Sequence, residues 1–129
     1  LVCPSRFIKG GRMEGNPIVK EILTRLASLF FQYFTTLPIK DSTNSFRLFS
    51  RKFLKKVNKF ESDKGFTLSF ELTAKAHRMG LKMIEIPSVW IERKIGDSRF
   101  KLFKFLPPYL KWLFYIIQTS IYYRKNEKN

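Results

Sequence analysis

The sequence predicts a mixed α/β domain that ends in an amphipathic helix. Apolar residues recur at helical spacing in one long stretch near the start and again toward the end. Short β-prone runs bounded by turn residues lie between and before them. Of the 129 residues, 44% are hydrophobic, enough for a modest core and too many for a disordered tail.

The elements follow in order. Leu1 to Cys3 reads as a piece of strand entered midway. Between Pro4 and Gly15 the run Ser5-Arg6-Phe7-Ile8-Lys9-Gly10-Gly11-Arg12 reads as a flexible basic loop rather than a helix or strand. Asn16-Pro17 supplies an N-cap and a first-turn proline. Ile18, Ile22, Leu26, Leu29, Phe30, Tyr33 and Phe34 then trace a helix to about Thr35. Pro38 to Asn44 is a loop, and Phe46 to Phe49 is short and apolar enough for a strand. Ser50 caps a short basic helix ending near Val57. After a polar turn, a helix runs from about Leu68 to Met79 and closes at Gly80, where a left-handed residue is wanted. Lys82 to Glu92 has strand character interrupted by Pro87, the mark of an edge or irregular strand. Past Pro107-Pro108, Tyr109 to Tyr123 is apolar but shorter than the roughly 20 residues a bilayer span needs, so an interfacial helix is expected. Asp97 to Lys104 before it is basic and reads as mobile.

Charge narrows the partners. Twenty-five Lys and Arg stand against ten Asp and Glu, a net charge of +15. So strong an excess asks for an anionic partner: nucleic acid, an acidic membrane surface or phosphorylated small molecules. Fourteen Phe, five Tyr and two Trp, many of them among basic residues in the last third, suit a membrane interface. A lone Cys3 cannot form an internal disulfide, which favours a reducing, cytoplasmic setting. The chain starts at Leu1 rather than Met and shows no signal-peptide pattern, so a truncated sequence is expected.

Three polar stations stand where the chain leaves regular structure: the Ser5-Arg6 loop, the Asp41 to Arg47 loop, and Arg93 to Arg99. Arg6, Lys20, Arg47, Arg93 and Arg99 have the chemistry to converge on phosphate oxygens, since a guanidinium presents paired donors of matching geometry. The plain alternative is a set of solvated surface charges.

In order and spacing these stations resemble the second half of family-two glycosyltransferases of the dolichyl-phosphate mannose synthase and bacterial polyprenyl-phosphate glycosyltransferase type. The matching pieces are Ser5-Arg6-Phe7 with Gly10-Gly11, Asp41-Ser42-Thr43-Asn44-Ser45-Phe46-Arg47, Lys64-Gly65-Phe66, Glu71-Leu72 and Lys75-Ala76. Gly80, Glu85-Ile86-Pro87, Arg93 and Gly96-Asp97-Ser98-Arg99-Phe100 complete the series, which runs from about residue 3 to residue 105.

The resemblance implies the C-terminal portion of a GT-A (nucleotide-diphospho-sugar transferase) fold. An incomplete sheet with packed helices would occupy residues 1–105 as the acceptor side of a catalytic domain, and residues 106–129 would be a membrane-interface helix with a polar tail. Arg6 looks like the family arginine that meets the acceptor phosphate, and Lys20 and Thr24, one helical turn apart, fall where the family has an arginine and a serine that help hold it. Asp41 looks like a catalytic-pocket residue that contacts the sugar or orients the acceptor, against the plain reading of a loop cap. Here Ser45 stands where many relatives have Gly, so Asn44 is expected to take the left-handed turn. Glu71 matches a glutamate facing the active site, against an i,i+4 pair with Lys75 on an exposed helix face. His77 reads as a surface residue. Arg93, Ser98 and Arg99 match a mobile loop closing over donor diphosphate and lipid phosphate, with edge-strand protection as the plain alternative for Arg93.

The family's nucleotide-binding first half carries an Asp-x-Asp motif for a divalent metal, and no such motif occurs in this chain. Magnesium or manganese is therefore expected for the intact enzyme and none for this piece, which is expected to be inactive alone. The implied partners are a nucleotide-sugar donor, a polyprenyl-phosphate acceptor, the cytoplasmic face of a membrane and the missing N-terminal half. Two rival readings remain open: the same fold with a saccharide hydroxyl acceptor and a carboxylate base, and a basic nucleic-acid module. The aromatics sit in helices with apolar periodicity, which counts against the last.

Overall fold

The structure, a computed structural model, describes residues 1–57, 59–62, 65–92 and 102–126. Mixed α/β architecture holds: among the described residues four short strands and four helices follow one another as β1 (Val2–Ser5), β2 (Arg12–Glu14), α1 (Ile18–Phe34), α2 (Arg51–Lys56), α3 (Gly65–Arg78), β3 (Ile84–Pro87), β4 (Val89–Ile91) and α4 (Leu102–Asn126).

Two parallel pairs form, β1 with β3 in register Val2↔Ile84 to Ser5↔Pro87, and β2 with β4 in register Arg12↔Val89 to Glu14↔Ile91. Ser88 welds them into one line. Its amide donates to the Ser5 carbonyl at 2.9 Å, and its carbonyl accepts from the Arg12 amide at 3.1 Å. β1 and β2 therefore lie end to end along β3 and β4, and residues 6–11 are looped out between them. The basic loop expected from Pro4 to Gly15 is thus shorter than its composition implied. Arg12 to Glu14 is strand, because pairing with a segment far along the chain supplies hydrogen bonds that a three-residue sequence cannot advertise.

Gly11 closes the loop. Its amide donates to the Ile8 carbonyl at 2.9 Å, and a Cβ there would stand 2.4 Å from the Ser5 carbonyl oxygen and 2.9 Å from the Arg6 carbonyl carbon. Only a residue without a side chain fits so near the backbone it folds against.

α3 is the central helix. Thr67, Phe70, Glu71, Ala74 and His77 line one buried face, and Leu72 and Ala76 another. Its start at Gly65 precedes the expected Leu68, because Thr67 extends the buried face by a turn. One core cluster joins Cys3, Phe31, Leu37, Ile39, Phe70, Ala74, Trp112 and Ile116; a second joins Phe53, Val57, Leu72 and Ala76. Burial also corrects His77, which is 5% exposed rather than a surface residue.

Local signals fared variously. Ser50 caps α2 as expected, its hydroxyl accepting from the Phe53 amide at 3.3 Å, and Gly80 ends α3 at φ +64°. At α1 the cap is Pro17 with no side-chain hydrogen bond, and the Asn16 amide group finds no partner among the described residues, so Asn16 is not the expected N-cap. The strand expected at Phe46 to Phe49 shrinks to a single antiparallel bridge, Val2↔Leu48. The Phe46 amide donates to Asn44 Oδ1 and the Asn44 carbonyl accepts from Arg47 Nε, so local bonds take up the backbone groups that a longer ladder would need. α4 begins at Leu102, with Pro107 and Pro108 inside it rather than before it. Two missing amides weaken its early turns, while burial of Trp112 and Ile116 holds the rest.

α1 is a largely uncovered helix. Only Ser28 and Phe31 are buried, whereas Ile18, Val19, Ile22, Leu23, Leu26, Leu29, Phe30, Tyr33 and Phe34 are all exposed. Among the described residues no helix is long and apolar enough to cross a membrane.

Candidate functional site

Residues 6–11 leave the sheet at the carboxyl end of β1, where open parallel sheets bind their ligands. Arg6 opens that loop and turns inward. Its Nε lies 2.7 Å from Asp41 Oδ2 and one Nη 2.7 Å from Oδ1, a two-pronged pair in which the side chains are 7% and 0% exposed. The same Nη donates to Thr43 Oγ1 at 2.8 Å, and the Arg6 backbone amide donates to Asp41 Oδ2 at 2.9 Å. The other Nη forms no hydrogen bond with a described residue and is the donor left for a ligand.

Asp41 is saturated. Beyond the three bonds from Arg6, Oδ1 accepts from the Asn44 amide at 3.2 Å and from the Thr43 hydroxyl at 3.4 Å. Its own amide donates to Glu85 Oε1 at 2.9 Å, which fastens the loop to β3. A carboxylate so enclosed holds its neighbours in place; a proton acceptor would need an open lone pair. Asn44 completes the loop without the expected left-handed turn, since positive φ among the described residues is confined to glycines. Its side chain donates to the Pro4 carbonyl at 2.9 Å and accepts from the Phe46 amide at 3.0 Å.

Arg47 is a strut. It donates from Nε to the Asn44 carbonyl at 2.9 Å, from an Nη to the Ser42 carbonyl at 2.6 Å, and to the Thr73 hydroxyl on α3. Burial pulls its pKa below the ordinary value, and pushes the neighbouring Tyr109 up to about 12. The Cys3 thiol is likewise pushed up by burial, which makes it a core group and a poor nucleophile.

Lys20 and Thr24 do share one side of α1. Lys20 Nζ pairs with Glu92 at 2.6 and 2.8 Å, reaching across 72 residues to the end of β4. The Thr24 hydroxyl bonds back into its helix, to the Lys20 and Glu21 carbonyls at 3.0 and 2.9 Å. Arg6 and Lys20 are linked through one indole: the guanidinium stands 5.8 Å from the Trp90 ring centre, and Trp90 Nε1 donates to Glu92 at 3.4 Å. Their charges therefore occupy one edge, each already facing a carboxylate. Arg93, Ser98 and Arg99 lie outside the described residues.

Glu71 stands apart from this edge. It forms the expected pair with Lys75, at 2.5 Å, but with its carboxylate fully buried rather than on an exposed face. It also accepts from the Glu61 amide at 2.9 Å and the Ser62 amide at 2.6 Å. Burial raises its pKa, but Lys75 and these amides outweigh that and leave the carboxyl below its ordinary value. Two open concavities, of about 460 and 210 Å³, border Lys75 and Tyr115 on this side, and neither is lined by Arg6, Lys20 or Asp41.

Residue-type reasoning alone gave no role to Glu85, Trp90 or Glu92. Glu85 was visible only as part of the family-like Glu-Ile-Pro run, and Glu92 as the last residue of an irregular strand.

The geometry can be set beside known proteins. Over 100 residues the chain is 28% identical to the polyprenol monophosphomannose synthase of Mycolicibacterium smegmatis, a match covering 77% of this chain and 38% of that protein. Over 101 residues it is 28% identical to the undecaprenyl-phosphate mannosyltransferase of Micrococcus luteus, covering 77% of this chain and 41% of that protein. The chain is similar to these two polyprenyl-phosphate glycosyltransferases. It spans well under half the length of these two relatives. No family model and no solved structure matches it.

Proposed function

We propose that this chain is the acceptor side of a GT-A-type polyprenyl-phosphate hexosyltransferase, in which Arg6, held by Asp41, grips the lipid phosphate. The observation that carries the reading is the buried Arg6–Asp41–Thr43 cluster at the carboxyl end of a parallel strand, with one guanidinium nitrogen still uncommitted. Its support from the comparisons is that both named relatives transfer mannose to, or make a mannosyl derivative of, a polyprenyl carrier.

The chemistry asks little of a base. A lipid phosphate is ionised at neutral pH, so its oxygen attacks the anomeric carbon directly. The new carbon–oxygen bond forms as the bond to the nucleoside diphosphate breaks, and the diphosphate leaves with the electron pair. The protein's task is alignment and neutralisation of charge. Arg6 offers a donor fixed in direction, and Lys20 supplies a second cation that must exchange Glu92 for the ligand or act through it. A saccharide hydroxyl acceptor would need a carboxylate base, and the enclosure of Asp41 disfavours that rival.

A divalent cation, magnesium or manganese, belongs to the same proposal, held by residues outside this chain. Asp41 and Glu71 are each filled with N–H donors, a donor set that does not fit a metal ion, and among the described residues no group of carboxylate, His or Cys side chains could hold one.

The test is transfer of labelled mannose from its nucleotide to a short polyprenyl phosphate by the intact protein. Arg6→Ala should lower kcat/KM by about 100-fold or more and Arg6→Lys by less, because Lys keeps the charge and loses the fork. Full activity in Arg6→Ala would remove the assignment.

A further inference from the structure

We infer, on the acceptor reading proposed above, that Glu92 is an internal competitor for Lys20: a ligand phosphate must displace its carboxylate to reach the ammonium, and the carboxylate retakes the ammonium as the ligand leaves. Two cation–carboxylate pairs share this edge, and they are built differently. Arg6–Asp41 is locked, with side chains 7% and 0% exposed and Asp41 filled by the Arg6 fork, two backbone amides and the Thr43 hydroxyl. Lys20–Glu92 is open, with side chains 39% and 26% exposed. Water and ligand reach both of its partners, and a pair so placed is weak. A phosphate monoester brings about two negative charges at neutral pH, so it outbids a single carboxylate for the lysine.

The contact has the geometry of a stand-in. Both Glu92 oxygens face Lys20 Nζ, at 2.6 and 2.8 Å, and take the donors that two phosphate oxygens would take. Keeping the carboxylate beside a bound phosphate would crowd two anions around one ammonium, where like charges repel. Exchange is therefore favoured over sharing. It needs no movement of the backbone, because the Glu92 amide donates to the Glu14 carbonyl at 3.0 Å at the end of the β2–β4 pairing. Rotation of one side chain suffices. The released carboxylate also keeps a donor within reach, since Trp90 Nε1 already stands 3.4 Å from Oε2.

The proposed reaction favours the return. Transfer turns the acceptor from a monoester into a diester with a single ionised oxygen, whose hold on Lys20 is weaker. Glu92 therefore retakes the lysine more readily from product than from acceptor, while Arg6 stays locked to Asp41 throughout. Glu92 acts through Lys20 and is a positioning residue.

The experiment is a double-mutant cycle on the intact protein, read by titration calorimetry with a short polyprenyl phosphate in neutral detergent. Glu92→Gln should tighten binding about three- to fivefold, the strength of the contact it removes. In the Lys20→Met background the same change should do nothing, because no lysine remains to compete for. A gain of affinity cannot come from a damaged fold. Weaker or unchanged binding in Glu92→Gln overturns the inference, since Glu92 would then hold Lys20 in place for the ligand or have no part in binding. Equal tightening in both backgrounds also overturns it, as that is general repulsion between the carboxylate and the phosphate. Arg6→Ala should weaken binding about tenfold or more. An affinity indifferent to Arg6→Ala would sink the acceptor reading and this inference with it, whereas dependence on Arg6 without the Glu92→Gln gain would sink the inference alone.

Discussion

Arg6 and Asp41 each make the other tolerable inside the protein. A buried carboxylate without its cation, or the reverse, costs about 3–5 kcal/mol, far more than either exposed ion pair on α1 contributes. Asp41→Ala is therefore expected to lower unfolding free energy by that amount in urea, and to abolish transfer by releasing Arg6. The joint replacement Arg6→Met with Asp41→Asn should recover the part of the stability lost to the stranded charge, because Asn keeps an acceptor for the Arg6 and Asn44 amides, and should recover none of the activity, which separates the two roles. Gly11 is the other residue on which the loop depends. Because its Cβ would press on the Ser5 and Arg6 backbone, Gly11→Ala should cost about 1–3 kcal/mol and impair transfer through displacement of Arg6, a loss that Gly10→Ala, at φ +89°, would share through backbone strain instead.

At the scale of elements, α3 joins the site loop to the rest through buried polar groups, and these set the pH response. His77 Nε2 lies 3.0 Å from the Thr36 hydroxyl, which donates to Ser120 on α4 at 3.2 Å, so one imidazole ties the end of α1 to α3 and α4. Burial disfavours the imidazolium and holds its pKa below the ordinary 6.5. The unfolded chain then binds the proton more readily than the folded one, and stability that is present above 6.5 falls as pH drops through that value. Urea midpoints should decline between about pH 7.5 and pH 5.5, and His77→Gln should flatten the decline. Glu71 acts lower on the scale: its carboxyl is depressed, so its contribution persists above the ordinary 4.5 and disappears as pH falls through the folded value. Glu71→Gln should cost about 1–3 kcal/mol by stranding the amides of Glu61 and Ser62 and the Lys75 ammonium.

The same elements show what a sequence can and cannot announce. α1, α2 and the end of α3 were legible because helices are local: periodicity, a serine cap and a left-handed glycine are all written within a few residues. β2 was not, since its only warrant is a parallel partner beyond residue 88. The burial of His77 was hidden because α3 is enclosed on more than one side, which no single-face pattern reveals. In the site, Arg6, Asp41 and Lys20 were legible as residue types through the family-like order of motifs. That Arg6 would meet Asp41 across 35 residues, and Lys20 meet Glu92 across 72, is a product of topology and could not be read from spacing.

For the molecule as a whole, the charge excess is the dominant long-range term. At +15 the folded chain repels itself more than the expanded one does, because compaction brings like charges together. Few of the charges are neutralised locally: six ion pairs form among the described residues, and most of those are exposed and weak. Salt has two opposed effects. It screens the exposed pairs, each worth under about 1 kcal/mol, and it screens the summed repulsion of the remaining cations. The second should win, since the buried Arg6–Asp41 and Lys75–Glu71 pairs are sheltered from ions and the unpaired cations far outnumber the exposed pairs. The thermal midpoint is therefore expected to rise by a few degrees, about 2–5 °C, between about 50 mM and 300 mM sodium chloride. Anionic vesicles at low salt should raise it further by binding the folded form, whereas neutral vesicles should not, and a midpoint that fell with salt would mean that local ion pairing outweighs the global repulsion.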